Sequence, residues 1–291
     1  MKIKILNTFN WEIKDIINNL ELIKNSGFTH IQICPVTPTK TNDRKWVWLY
    51  QPIDFTIGNV LGSKDDFILL CNKAHEIGLN IIVDVVLRHL AGEDTGKLLP
   101  HEICNKYIVD NKSFWLSYEA GKYCDNRDEM INKCWGMPTL NYYNEELQKV
   151  YIEYLDEVLM YADGLRVDMG KHYALPEENC TFWKNVVGRY SNKFIYSECI
   201  NLNKELMDKY SNYTNILISD HDYCPSNEKS VVFFESHDTY FSWGYTKNLN
   251  DNDRLNKWND LLNKYDKCLF FSRPFDKLIF SEEMKRINSI T

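Results

Sequence analysis

Four short stretches set acids, cations and imidazoles where apolar runs end. Asp84 lies near the close of NIIVDVV (80–86), and Arg88 and His89 follow it. Arg166 and Asp168 stand two apart in GLRVDMGKH (164–172), with Lys171 and His172 just beyond. On a strand that spacing puts the two charges on one face and Leu165 and Val167 on the other. Glu198 ends KFIYSE, and Glu235, His237 and Asp238 end the run that begins SVVFF. Burying a charge pair costs desolvation energy, so such a pair is either structural or part of a site.

Three chemistries suit these residues. His89 and His237 with carboxylates could ligate a metal. A Lys or His base could take a proton from beside a carbonyl. Two carboxylates with separated pKa values could hydrolyse a glycosidic bond. The residues alone leave all three open. The eight Trp and eighteen Tyr, whose rings suit sugars as well as cores, and the lack of a strong metal motif favour the third.

The elements that must hold these residues show in the hydrophobic pattern. Eight apolar runs occur, at 2–9, 30–36, 80–86, 164–169, 193–198, 215–220, 230–236 and 267–273. Between the first two, Ile13, Ile16, Ile17, Leu20 and Ile23 make one helical face, and Gly27 is the stop signal. Residues 63–78 repeat the plan with Ser63 as N-cap and Gly78 at the end, and 143–161 is the clearest helix. Near-continuous apolar strands alternating with helices predict a parallel sheet, and eight such units predict an α/β fold of the (β/α)8 TIM-barrel type. The carboxyl ends of its strands, where the charged residues fall, would form one face. Two units read poorly: 221–229 is too short and polar for a helix, and the chain stops soon after the eighth run. Residues 89–141 are polar and irregular, and read as an excursion domain between the third strand and the third helix. The barrel is then expected over 1–88 and 142–291, with no C-terminal β domain.

Composition narrows the function classes. The 291 residues carry a net charge of −7 without a basic stripe, which argues against nucleic acid. No window approaches a membrane span and the N-terminus lacks a signal-peptide core, so no membrane partner is expected. The nine cysteines form no CxxC pair, which predicts free thiols in a reducing, cytoplasmic setting. No glycine-rich nucleotide fingerprint follows the first run.

The ordered motifs DVVLRH (84–89), GLRVDMGKH (164–172), YSEC (196–199) and ESHD (235–238) resemble those of the α-amylase family of glycoside hydrolases. YQPIDFTIGN (50–59) and MPTLN (137–141) are also similar to family segments. The resemblance spans roughly residues 7–240. It implies a retaining hydrolase of α-1,4-linked glucans or maltooligosaccharides. Asp168 would be the nucleophile, Glu198 the general acid/base and Asp238 the carboxylate that binds and distorts the sugar. Arg166 would keep Asp168 ionised, and Glu198, crowded by acids, would hold its proton to higher pH. His89 and His237 would hydrogen-bond the sugar, Tyr50 would stack on it, and Lys171 and His172 would touch the next glucose. Asp84 would position its neighbours. An α-glucosyl transferase, an α-glucosidase and a non-catalytic glucan-binding or scaffold barrel are the competing readings.

The chain also departs from the family pattern. Many members place an Asn that binds structural calcium where Arg88 stands, and a guanidinium has no lone pair to offer a metal. No metal or cofactor is therefore expected. The short excursion and the missing β domain imply a trimmed protein, for which a second copy of the chain is an expected support.

Overall fold

The computed structural model describes residues 2–92, 114–117, 126–133 and 137–290. Eight parallel strands close into a barrel: β1 (Ile3–Asn7), β2 (His30–Ile33), β3 (Asn80–Val85), β4 (Gly164–Val167), β5 (Phe194–Glu198), β6 (Asn215–Ser219), β7 (Ser230–Phe233) and β8 (Lys267–Phe271). Each pairs with its sequence neighbours, and β1 pairs with β8, Ile3 opposite Lys267 and Asn7 opposite Phe271. The expected fold is the observed one.

Each strand is buried on both faces, which is why its sequence reads as an unbroken apolar run. Ile5, Ile82, Tyr196, Leu217, Val231, Phe233 and Leu269 fill the inside of the barrel. Residues one step along, such as Leu6, Ile81, Val83, Leu165 and Val232, point outward into the layer under the helices. That layer is completed by α1 (Ile13–Asn25), α2 (Lys64–Glu76), α3 (Glu145–Leu159), α4 (Lys204–Ser211), α5 (Asp251–Lys264) and α6 (Glu282–Ile290). In α2, Ser63 caps the first turn by accepting from the Asp66 amide, and Asp66 returns the bond to the Ser63 amide.

The two weak units come out differently. Residues 220–229 form turns and no helix follows β6, in line with the short polar sequence. After β8 a helix does form: α6 sends Met284 and Ile287 into the core, and Asn288 accepts from the Trp258 indole and donates to the Ser26 carbonyl. A nine-residue helix offers too few turns for its period to stand out.

Of the expected excursion at 89–141, residues 93–113, 118–125 and 134–136 lie outside the described residues. The described part includes a helix, Arg127–Asn132, and a short antiparallel pair, Trp115–Ser117 with Thr139–Leu140. Cys34, Cys71, Cys180, Cys199, Cys224 and Cys268 are free thiols; Cys104, Cys124 and Cys134 lie outside the described residues. Among the described residues no helix is long and apolar enough to cross a membrane.

Candidate active site

The inward-facing positions change character along the barrel axis. Two residues beyond Ile5, Ile82 and Tyr196 come Asn7, Asp84 and Glu198 on the same strands, so a period of two replaces an apolar layer with a polar one. Register does the rest. Asp84 lies opposite Arg166 across the β3–β4 pair, and Arg166 lies opposite Tyr196 across β4–β5. Residues 82 apart in sequence thus become neighbours inside the barrel mouth.

Arg166 is buried and gathers three carboxylates. Its Nη1 donates to both Asp84 oxygens at 2.9 Å and to Asp168 Oδ1 at 2.6 Å. Its Nη2 lies 3.0 Å from Glu198 Oε1. Asp168 and Glu198 therefore face the two terminal nitrogens of one guanidinium. The other Glu198 oxygen accepts from the Met169 amide at 3.1 Å. That amide is aimed by a left-handed turn at Met169 (φ 52°, ψ 36°) directly after Asp168, a conformation a non-glycine residue adopts only when its surroundings impose it. Gly170 lets the turn pack down, because a Cβ there would sit 2.6 Å from the Ser197 Cβ.

The electrostatics reverse the order expected from the sequence. Burial, chiefly, raises the Asp168 carboxyl well above the ordinary range; Arg166 pulls it down, and the charges of Glu198 and Asp84 work against that pull. Burial also acts to raise Glu198, but Arg166, His237, Lys171 and the Met169 amide overcome it and leave this carboxyl lowered. Asp84 is raised by burial, against the pull of Arg166 and the Tyr50 hydroxyl. Crowding was expected to act on Glu198; the extra donors around Glu198 shift the burden to Asp168.

The remaining expected residues lie around this centre. The Tyr50 hydroxyl donates to Asp84 Oδ2 at 2.9 Å. The Tyr50 ring stacks on His237 (centroids 5.1 Å apart), and Phe9 stacks on the same imidazole at 4.7 Å. His89 Nε2 is 2.8 Å from the Tyr50 carbonyl oxygen. Lys171 is buried and donates to the Ile200 carbonyl at 3.0 Å, while His172 Nδ1 lies 3.0 Å from the Met130 carbonyl oxygen. Burial and the neighbouring Lys171 charge lower His172 to about 3, so its ring is neutral at any ordinary pH. Asp238 is half-buried beside His237, with Oδ2 3.7 Å from Nε2. Glu235, by contrast, is fully enclosed and neutralised by Arg254 and Arg273.

Arg88 is wholly buried. Its Nε donates to the His172 carbonyl (3.1 Å) and its Nη2 to the Ile131 carbonyl (2.6 Å), and its guanidinium lies over the Tyr142 ring. Arg127 does similar work nearby, donating to the carbonyls of Lys171 and Tyr173, to Glu178 and to the Tyr210 hydroxyl. Two arginines thus tie helix 127–132 to the loop after β4. Arg127 gave no sign of this in sequence, because it lies in an irregular polar stretch. Phe9 and Trp46, which wall the mouth beside His237, were likewise indistinguishable from core aromatics.

Comparison with known proteins agrees with the geometry. Residues 10–99 match the α-amylase catalytic-domain family. An α-amylase of Clostridium acetobutylicum is 30% identical over an alignment covering 93% of this chain and 40% of that protein. One of Butyrivibrio fibrisolvens is 28% identical, over 93% of this chain and 34% of its own length. The chain thus spans well under half the length of these relatives. Its fold superposes on the α-amylase of Geobacillus thermoleovorans, solved with acarbose, with a TM-score of 0.76 at 15% identity, covering 99% of this chain and 78% of that one. Alpha-amylase I of Eisenia fetida gives 0.74 at 18% identity, covering 93% and 66%.

Proposed function

The chain is homologous to the α-amylases over 93% of its own length, and on that footing we propose that it is a retaining glycosidase acting on α-1,4-linked glucans or maltooligosaccharides. The observation that carries the reading is the pairing of Asp168 and Glu198 with one guanidinium at adjacent strand ends. That pairing suits the roughly 5–5.5 Å between carboxyl groups that a covalent glycosyl-enzyme route needs. Asp168 attacks the anomeric carbon while Glu198 gives its proton to the departing oxygen; Glu198 then takes a proton from water, whose oxygen attacks that carbon and releases the Asp168 carboxylate. Asp238 binds the sugar hydroxyls beside the bond that breaks. His89, His237, Lys171 and His172 hold the flanking sugars, and Tyr50 presents its ring to the one being cleaved.

The free site favours the proton on Asp168, so substrate must move it. Glu198 keeps some contact with solvent, its side chain 13% exposed against 9% for Asp168. A sugar that seals the mouth strips that water and raises Glu198. Positive charge growing at the anomeric carbon favours Asp168 as the anion. The two acids titrate as a pair, and the ligand decides which one holds the proton.

The protein is proposed to work without calcium and inside the cell. Arg88 already donates to the carbonyl oxygens of Ile131 and His172, and a cation placed there would face a fixed positive charge. Free buried cysteines fit a reducing compartment.

Release of reducing ends from starch and maltoheptaose, with mass detection of the products, tests the function. Shorter maltooligosaccharides are expected. Products longer than the substrate would make it a transferase, glucose alone a glucosidase, and no turnover a binding barrel.

A further inference from the structure

The loop that follows Asp238 ends in two rings that the fold does not use. Trp243 is 42% exposed and Tyr245 79%, with centroids 5.9 Å apart. The rings are tilted 39° to each other, and the loop that carries them leaves the carboxyl end of β7, the end of the barrel that carries the carboxylates.

The loop is built to hold them still. Residues 238–242 form a π-helical turn, which closes with the Trp243 amide donating to the Asp238 carbonyl at 2.7 Å. Beyond the rings, the Thr246 amide donates to the Thr239 carbonyl and the two threonine hydroxyls meet at 3.2 Å. Arg273 donates to the Thr246 and Leu249 carbonyls from below. Gly244, between the rings, takes φ +72°, a left-handed conformation that glycine adopts at least cost. A fixed, solvent-facing aromatic pair one short turn from a sugar-binding carboxylate is a stacking platform rather than core material.

We propose that Trp243 and Tyr245 form an outer subsite that stacks on pyranose rings of a glucan chain several units from the cleaved bond, on the Asp238 side. The proposal rests on the glucan reading given above. Rigid rings lose little freedom when a sugar lies on them, so they add affinity for long chains and little for short ones.

Calorimetric titration of the Asp168→Asn protein with maltoheptaose and maltotriose tests it, with Trp243→Ala or Trp243→Phe added. Trp243→Ala is expected to weaken maltoheptaose roughly tenfold, about the upper end of one aromatic contact, and maltotriose much less. Trp243→Phe should keep most of the affinity. In the otherwise native chain, Trp243→Ala should raise KM for amylose more than for a nitrophenyl maltoside. Equal maltoheptaose affinity with and without the Trp243 ring overturns the subsite and leaves the glucan reading standing. A folded Asp168→Asn protein that binds neither sugar overturns both. A dimer that Trp243→Ala splits would assign the rings to self-association instead.

Discussion

Two buried ionic clusters lie near the same end of the barrel, and they differ in their sums. Around Arg166 one cation faces Asp84, Asp168 and Glu198. Around Glu235 two cations face two enclosed acids: Arg254 and Arg273 meet Glu235 and Asp276, with only the exposed Asp251 added at 3.7 Å from Arg254. In this second cluster every enclosed charge has its opposite, and Arg254 adds a bond to the Phe271 carbonyl. It braces the turn that carries His237 and Asp238 and has no spare acid with which to do chemistry. The Arg166 cluster gathers three carboxylates on one guanidinium, and because Lys171 and His237 act on Glu198, Asp84 and Asp168 are the carboxyls left raised. Incompletely compensated buried charge is a cost a stable fold avoids, and its presence here supports the proposed reacting centre.

The largest expected effect separates the two clusters outright. Asp168→Asn should lower turnover of starch by at least about a thousandfold, since it removes the proposed nucleophile. The same change should raise Tm by a few degrees. The carboxyl is raised in the folded state, so its ionised form weakens folding at neutral pH and an uncharged amide does not. Turnover kept in a pure, folded sample would end the proposed mechanism, and a large drop in Tm would make the cluster structural.

Glu235→Gln should do the reverse. It leaves the buried Arg254 and the partly buried Arg273 short of a negative partner, at a cost of up to about 3–5 kcal/mol. Urea unfolding measures this directly, and a loss below about 1 kcal/mol would contradict the assignment of this cluster as a brace.

A smaller effect concerns pH. Asp168 must be ionised to attack, so kcat/KM falls as pH drops through its raised pKa. Asp84→Asn removes a negative neighbour and frees Arg166 for Asp168, and both changes lower that pKa. The acid limb of the profile should move to lower pH; an unmoved limb would mean that Asp84 does not govern Asp168.

The smallest expected effect is none. Chelation with EDTA should leave Tm within about 1 °C if, as proposed, Arg88 takes the place of a structural ion. A fall of many degrees, reversed by added calcium, would show that Arg88 does not do an ion's work.

Strand-end acids were legible because register, motif order and alternation all act within single segments. Asp84, Arg166, Asp168 and Glu198 met as their positions required. What escaped was set by partners distant in sequence. The neutralisation of Glu235 comes from Arg254 and Arg273, residues with no local reason to be noticed. Glu198 is lowered by Arg166 first, then by His237, Lys171 and the Met169 amide; the places of His237 and that amide follow from an aromatic stack and a left-handed turn rather than from spacing. Helix α6 was too short for periodicity to reveal.

Pairing of β1 with β8 has a consequence for synthesis. Ile3 and Lys267 must meet to close the sheet, yet one leaves the ribosome some 260 residues before the other. Until the final strand emerges, β1 and β7 each present an open edge of unpaired amides, a template for association with other chains. Contacts so far apart in sequence also form slowly. Chaperone protection of the unfinished barrel is therefore expected to matter most before β8 emerges.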